Sequence, residues 1–473
     1  MQKTTADIGN KWLVLIVSVF GAFMIPFDSS VVNVAIPSIG TEFGGELALL
    51  TWIPLATLLS LTSLVLVFGR LADLKGRRLL YSAGLIIFSS ASVICALSTS
   101  IYQLIVSRAV LGIGAAMISG NSIAFITSAF PPHERGRALG IQTTAVYTGA
   151  SLGPTLGGFL ISILGWRWVF CINVPLGAIV VTLLLLKVGE PIHAKSHGSL
   201  DLLGTFTFTG AVGTAIVAGT LSQSTLIQPS SVLILGLIGA IMMTAFVYVE
   251  SRIATFPILD LHLFTHNRMF ACSNFTALLN YQAVYGITFL MSLYLQIVRQ
   301  LSPQEAGLIL LSQPILMTLI SPISGWISDF VQPRILVSSG MTMISAATFL
   351  LSRLTVETPL LHVVYIMILL GAGYGLFSSP NTNAVMGSVG KESFGVAAGT
   401  LATMRFVGQS FSLAIVTSVL LRFIPSGKLI IGSGTINVPM NQFLLGLSAA
   451  FIVLSAISAV GALISLVRGP QQT

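Results

Sequence analysis

Only 8% of the 473 residues are Asp, Glu, Lys or Arg, so a charge inside a long apolar run is a candidate for chemistry. Asp28, in "FDSSVVNVAIPSI" (27–39), is the acidic residue that falls deep within such a run. A carboxylate at the centre of a bilayer costs about 3 kcal/mol or more unless it is protonated or paired. Burial favours the neutral acid and a neighbouring guanidinium favours the carboxylate, and a group held between those two pulls suits proton exchange. The bland alternative is a structural carboxylate that holds a helix pair. Arg108 is its natural partner. Asp28 lies roughly 12 Å before the far end of its helix, and Arg108 about 10 Å into a helix of opposite direction, at 1.5 Å per residue. The two depths agree. Arginine keeps its proton in proteins, so Arg108 would modulate Asp28 without titrating; the alternative is an arginine that snorkels from a helix end.

Arg405, in "TMRFVGQS", is a second cation within an apolar run, with no evident carboxylate for it in the second half of the chain. Asn, Gln, carbonyl groups or an anionic part of a substrate could meet it. Asn33, Asn121, Tyr147, Asn280, Tyr281, Tyr285, Tyr374, Asn381 and Asn383 could together line a wet cavity. Taken singly, each reads more readily as an interhelical hydrogen bond. Gly149, Gly153 and Gly157 recur at helical spacing and form one smooth face of the kind that lets helices approach closely. Pro154 can bend that helix. The densest charge is in "FGRLADLKGRRLLY" (68–81), which carries Arg70, Asp73, Lys75, Arg77 and Arg78.

These residues need elements to hold them, and composition says which. A soluble domain has about 25% charged residues, whereas this chain has mean hydropathy +0.95 and runs near the roughly 20 residues that cross a bilayer. The pattern predicts an all-α polytopic membrane protein. Alternating segments of about 10 residues, as in a transmembrane barrel, are not evident. Spans are expected near 12–36, 48–69, 79–98, 101–127, 137–163, 168–187, 202–221, 231–250, 268–298, 305–328, 334–352, 360–383, 395–422 and 441–467. The first lacks a signal-type cleavage site and reads as retained.

Charge placement orients them. With both termini cytoplasmic, the inner connections hold Arg70, Lys75, Arg77, Arg78, Arg135, Arg137, Lys187, Lys195, Arg252, Arg268, Arg334 and Lys391. The outer ones hold Arg167, Arg299, Arg353, Arg422 and Lys428. That is the bias that keeps basic loops inside, and it accounts for the net charge of +8 without a nucleic-acid partner. Cys95, Cys171 and Cys272 lack metal-ligand spacing, the six histidines lack zinc spacing, and no phosphate-binding loop with its Lys appears. No metal or cofactor is expected, nor an enzyme.

A repeat organises the spans. "GRLADLKGRR" (69–78) recurs in weaker form as "GWISDFVQPR" (325–334), which contains Asp329; "LGIGAA" (111–116) answers "LGAGYG" (370–375), and "GRALG" (136–140) answers "GVAAG" (395–399). The three separations are nearly equal, as for two homologous halves. Expected divisions are a six-helix half over 1–187, an inserted two-helix segment over 188–267 and a second six-helix half over 268–473.

With these motifs in order, the chain resembles the major facilitator superfamily, specifically its fourteen-span drug:proton antiporters. "GRLADLKGRR" resembles the signature loop between spans two and three, "RAVLGIGAA" (108–116) the basic motif of span four, with Leu111 where Gln is common, and "GASLGPTLGG" (149–158) the antiporter motif. "FDSSVVNVAIPSI" and "GWRWVFCINVPLG" (165–177) look like segments of the fourteen-span group. The resemblance implies the major facilitator fold, alternating access between the halves, and proton-coupled export of small hydrophobic or amphiphilic compounds from the cell membrane. It implies proton coupling at Asp28 and Arg108, and a cytoplasmic gate of Gly69, Asp73, Gly76, Arg77, Arg78, Arg135 and Asp329. It also implies a span-five face (Gly149, Gly153, Pro154, Gly157, Gly158) that closes against the other half. The expected partners are a small-molecule substrate, protons and the lipid bilayer, for a monomer. Export of an anionic or lipid-like amphiphile, uptake by symport, and a membrane sensor or intramembrane enzyme remain alternatives.

Overall fold

In the computed structural model, the described residues are 11–44, 46–131, 134–187, 201–221, 229–254, 259, 261–328, 330–390, 394–424, 431–432, 435–436 and 439–468. Among them are fourteen helices long and apolar enough to cross a membrane. Spans one to six are Lys11–Phe43, Leu47–Ala72, Arg77–Ala96, Ile101–Ile123, Ala138–Leu164 and Trp168–Leu186. Spans seven and eight are Leu202–Thr220 and Ser230–Ile253. Spans nine to fourteen are Arg268–Val298, Pro303–Ile327, Pro333–Leu351, Leu360–Gly387, Val396–Arg422 and Met440–Val467. The even number puts the first and last helices' outer ends on one side, called here the terminal end. A two-residue antiparallel pairing, Ile431–Gly432 with Thr435–Ile436, is the β-structure described, and it touches span one at the far end.

Span one runs further than its apolar stretch predicts, because Pro26 and Pro37 both stay inside the helix. Proline is tolerated there because neighbouring helices satisfy the freed backbone groups. Span six breaks between Trp168–Cys171 and Asn173–Lys187; Pro175 has no N–H for the Cys171 carbonyl. Span ten has a similar break at Leu311 and opens with a capping box of Ser302 and Glu305.

The neighbour pairs of the first six spans recur among the last six. Spans one and five, two and four, three and four, three and six, and one and six touch; so do nine and thirteen, ten and twelve, eleven and twelve, eleven and fourteen, and nine and fourteen. The contacts between the sets obey the same exchange, five with ten and two with thirteen. Span seven covers the seam of spans two and thirteen, with Thr209 donating to the Ser63 carbonyl at 3.3 Å and Ser418 donating to the Gly219 carbonyl. Span eight packs on span seven and presents Leu233 and Ile241 outward.

The two sets are joined at the far end and in the middle. Ser292 donates to the Asn33 carbonyl at 2.9 Å and Gln296 to the Val34 carbonyl at 3.0 Å. Thr155 donates to the Gly307 carbonyl at 3.3 Å, and Thr62 and Ser410 bond at 3.1 Å nearer the middle.

Candidate functional site

Asp28 and Arg108 meet as their depths along the helices require. Arg108 Nη1 donates to Asp28 Oδ2 at 2.5 Å, and both side chains are essentially inaccessible. The guanidinium is positioned from two further sides, since Nε donates to the Ile53 carbonyl at 3.2 Å and the Phe170 ring lies 5.7 Å away, while Thr57 donates to the backbone carbonyl of Arg108 at 2.9 Å. Gly112 makes this possible, since a Cβ there would sit 2.5 Å from the Thr57 carbonyl oxygen. The second carboxylate oxygen accepts from Asn173 Nδ2 at 3.0 Å, and the same amide donates to Ser92 Oγ at 3.3 Å. Five spans therefore converge on one carboxylate. Sequence reading missed Asn173 and Ser92. The available signal for Asn173 was a lone amide in an otherwise apolar stretch beside a proline.

A second cluster forms between the two sets of spans. Tyr374 on span twelve meets Tyr147 on span five (6.4 Å, 88°) and Tyr281 on span nine (6.1 Å, 73°), both edge to face. The Tyr147 and Ser378 hydroxyls bond across the same interface. Arg405 lies over Phe406 at 4.5 Å, within electrostatic reach of Tyr147 and Tyr374, and its buried Nε has no hydrogen-bond partner. The Tyr285 hydroxyl, beside Ser29 and Asn33, is likewise buried without one.

The remaining expected cavity residues are amides, each with its own partner or place. Asn121 donates to the Arg77 carbonyl, tying span four to the signature loop. Asn280 donates to the Met341 sulfur at 3.1 Å, Asn381 to the Ser273 carbonyl at 3.2 Å and Asn383 to Ser328 at 2.9 Å, all within the second set. Asn33 is buried at the far-end seam, its amide oxygen unpaired. The amide nitrogens of Asn121, Asn280, Asn381 and Asn383 are each spent on an interhelical hydrogen bond, while the Asn33, Asn121 and Asn280 oxygens are buried without a partner.

The span-five glycines also need a correction. Added Cβ atoms at Gly149, Gly153 and Gly157 would meet Phe23, Ser30 and Val31 at 2.4, 2.5 and 2.7 Å. That smooth face packs on span one of its own half. The other half is met by Gly158, 2.3 Å from the Pro303 carbonyl oxygen by the same construction, and by Pro154, whose carbonyl lies against Gly307.

In the signature loop, Gly76 joins spans two and three at φ 111°, a conformation that favours glycine. Gly69 approaches the Gly120 carbonyl closely. Arg78 donates to the Leu185 carbonyl at 2.8 Å, holding the terminal end of span six. The side chains of Asp73 and Arg135, and Asp329 as a whole, lie outside the described residues, as do Lys391–Ser393 before span thirteen. At the far end, Arg167 grips Glu42 through two bonds of 2.6 and 2.7 Å, and Trp166 donates to Glu42 at 2.7 Å. The hydrogen bond to Glu42 raises the Arg167 pKa further.

At the terminal end of span fourteen, Arg468 is buried, donating weakly to Ser273 Oγ (3.3 Å) and Asn381 Oδ1 (3.4 Å). Its Nε and Nη2 have no partner, and burial pushes its pKa down to about 10. Sequence reading did not single it out.

Comparison with known proteins agrees with this arrangement. The family model for the Major Facilitator Superfamily matches residues 18–413. A riboflavin transporter of Clostridioides difficile is 30% identical over 411 residues, covering 86% of this chain and 88% of its own. A multidrug resistance protein of Mycobacterium tuberculosis is 33% identical over 415 residues, covering 87% and 76%. Among solved structures, an inward-facing, unoccupied bacterial homolog of the human lysosomal transporter Spinster superposes with TM-score 0.69 at 18% identity, covering 97% of this chain and 96% of its own. At that identity the likeness concerns the fold.

Proposed function

The chain belongs to the major facilitator superfamily and is a membrane transporter rather than an enzyme; from that premise we propose that it is a proton-coupled exporter of small hydrophobic or amphiphilic compounds. The observation that carries the proposal is the Asp28–Arg108 pair with Asn173 closing on its free oxygen. A protonated Asp28 would lose its ion pair with Arg108, so the proton is exchanged against a defined set of contacts. That is the linkage a coupled cycle needs, because a ligand shifts an equilibrium only by its differential affinity for the two states.

Three parts share the work in this reading. The halves 1–187 and 268–473 rock about the midplane, with the insert 188–267 carried outside the seam of spans two and thirteen. The contacts of Asn33, Val34 and Gly158 with the other half close the far end. The loop of Gly69, Asp73, Gly76, Arg77 and Arg78, with Arg135 and Asp329, gates the terminal, cytoplasmic end, and the substrate lies among Tyr147, Tyr281, Tyr285, Tyr374 and Arg405. Related proteins named as a drug efflux pump and a cephamycin export protein support export and the substrate class, and the riboflavin transporter extends it to planar aromatic compounds.

Purified protein in liposomes tests this directly. An imposed pH gradient should drive movement of a neutral or anionic amphiphilic dye, and Asp28→Asn should stop that movement while the protein still elutes as a folded species. Equal dye flux with and without the gradient would refute proton coupling.

A further inference from the structure

We propose that Arg405 and the tyrosines around it form a subsite for a small planar aromatic carboxylate. The inference rests on the transport reading above, because it places the ligand in the same space between the halves.

The starting point is an electrostatic imbalance. Asp28 and Arg108 neutralise one another, which leaves Arg405 as an uncompensated positive charge on span thirteen. It lies roughly 16 Å along the helix from Phe394, at 1.5 Å per residue, well below headgroup level. Its Nε is buried and unbonded, and it forms no ion pair among the described residues. Arg405 is half-buried, and holding a cation partly out of water without a partner is costly; Arg108 shows what this protein builds when the arginine is structural: a carboxylate, a backbone carbonyl and a ring. Arg405 has the ring, Phe406, without the acid.

The surroundings define the missing partner's shape. A guanidinium presents a planar fork that matches a carboxylate through two parallel hydrogen bonds. Tyr147, Tyr281 and Tyr374 meet edge to face at 6.1–6.4 Å, an arrangement that offers ring faces and edges to a further planar ring. Tyr147 comes from one half and the other three residues from the opposite half, so a ligand here bridges the elements that alternating access must move. The chemistry calls for one negative charge and one flat ring. A lipid phosphate is disfavoured by depth, and a cationic drug by the sign of Arg405.

The test measures binding to detergent-purified protein with three probes of one shape: 1-naphthoate, 1-naphthalenemethanol and 1-naphthylmethylamine. The proposal expects naphthoate to bind at least tenfold tighter than the alcohol, and the amine weakest. Arg405→Gln should remove the advantage of naphthoate over the alcohol, and Arg405→Lys should retain part of it. Wild-type protein that binds naphthoate no better than the alcohol would overturn the proposal, with no variant needed. An unchanged naphthoate preference in a folded Arg405→Gln protein would overturn it too. Gradient-driven dye flux without naphthoate preference sinks this inference alone, whereas naphthoate preference without any gradient-driven flux sinks the transport reading alone.

Discussion

The two halves repeat each other's helix contacts, yet the fully buried arginine of each, Arg108 and Arg468, is compensated differently. In the first half, Arg108 is fully enclosed with a carboxylate, a backbone carbonyl and an aromatic ring around it. In the second, Arg405 and Arg468 each keep buried nitrogens without acceptors, and neither meets a carboxylate among the described residues. These arginines do not occupy equivalent spans, since Arg108 is on span four and the others are on span thirteen and at the end of span fourteen, so the shared scaffold fixes neither where a cation sits nor what compensates it. Removing one partner of a satisfied buried pair leaves an orphaned charge, while removing an unsatisfied cation takes away a burden. The halves should therefore respond to mutation with opposite signs.

The sharpest test of that contrast is Asp28→Leu, which strands Arg108. It should destabilise the protein by about 3–5 kcal/mol in thermal unfolding, and Arg108→Met in the same chain should recover a large part. A double variant no more stable than the single one would mean the pair is not a unit. Asn173→Leu comes next. Losing a hydrogen bond to a charged group should cost about 1.5–3 kcal/mol and shift the pH dependence of gradient-driven flux, whereas a packing role alone would change stability and leave the pH profile in place. Arg468→Met should go the other way and leave the melting temperature unchanged or raise it, by about 1 kcal/mol; a loss as large as that of Asp28→Leu would erase the contrast between the halves. The smallest effect belongs to Glu42→Gln. The Glu42–Arg167 pair is two-pronged, but both side chains are about 40% exposed, and exposed pairs contribute about 0–1 kcal/mol. A larger loss there would show that the far-end clamp is shielded by its surroundings.

The glycine face carries a related lesson. The spacing of Gly149, Gly153 and Gly157 announced a close approach, and the close approach is there, but to span one instead of the other half. Spacing tells that a face is smooth. It does not tell which neighbour takes it.

Much of the molecule was legible in one dimension. Crossing a bilayer takes a long apolar run whatever surrounds it, so the fourteen spans could be counted from hydropathy. The near-constant separation of three motifs disclosed the repeat. Depth along a helix follows from 1.5 Å per residue, and depth alone was enough to pair Asp28 with Arg108. What sequence could not supply was direction around each helix axis. In a soluble helix, polar residues mark the outward face; here lipid and protein interior are both apolar, and that marker is missing. Tertiary packing alone decided that Asn173 turns toward Asp28 with Ser92 beside it, and that Asn121 donates to the Arg77 carbonyl. It also decided that three tyrosines from two halves gather beside an arginine with no acid of its own.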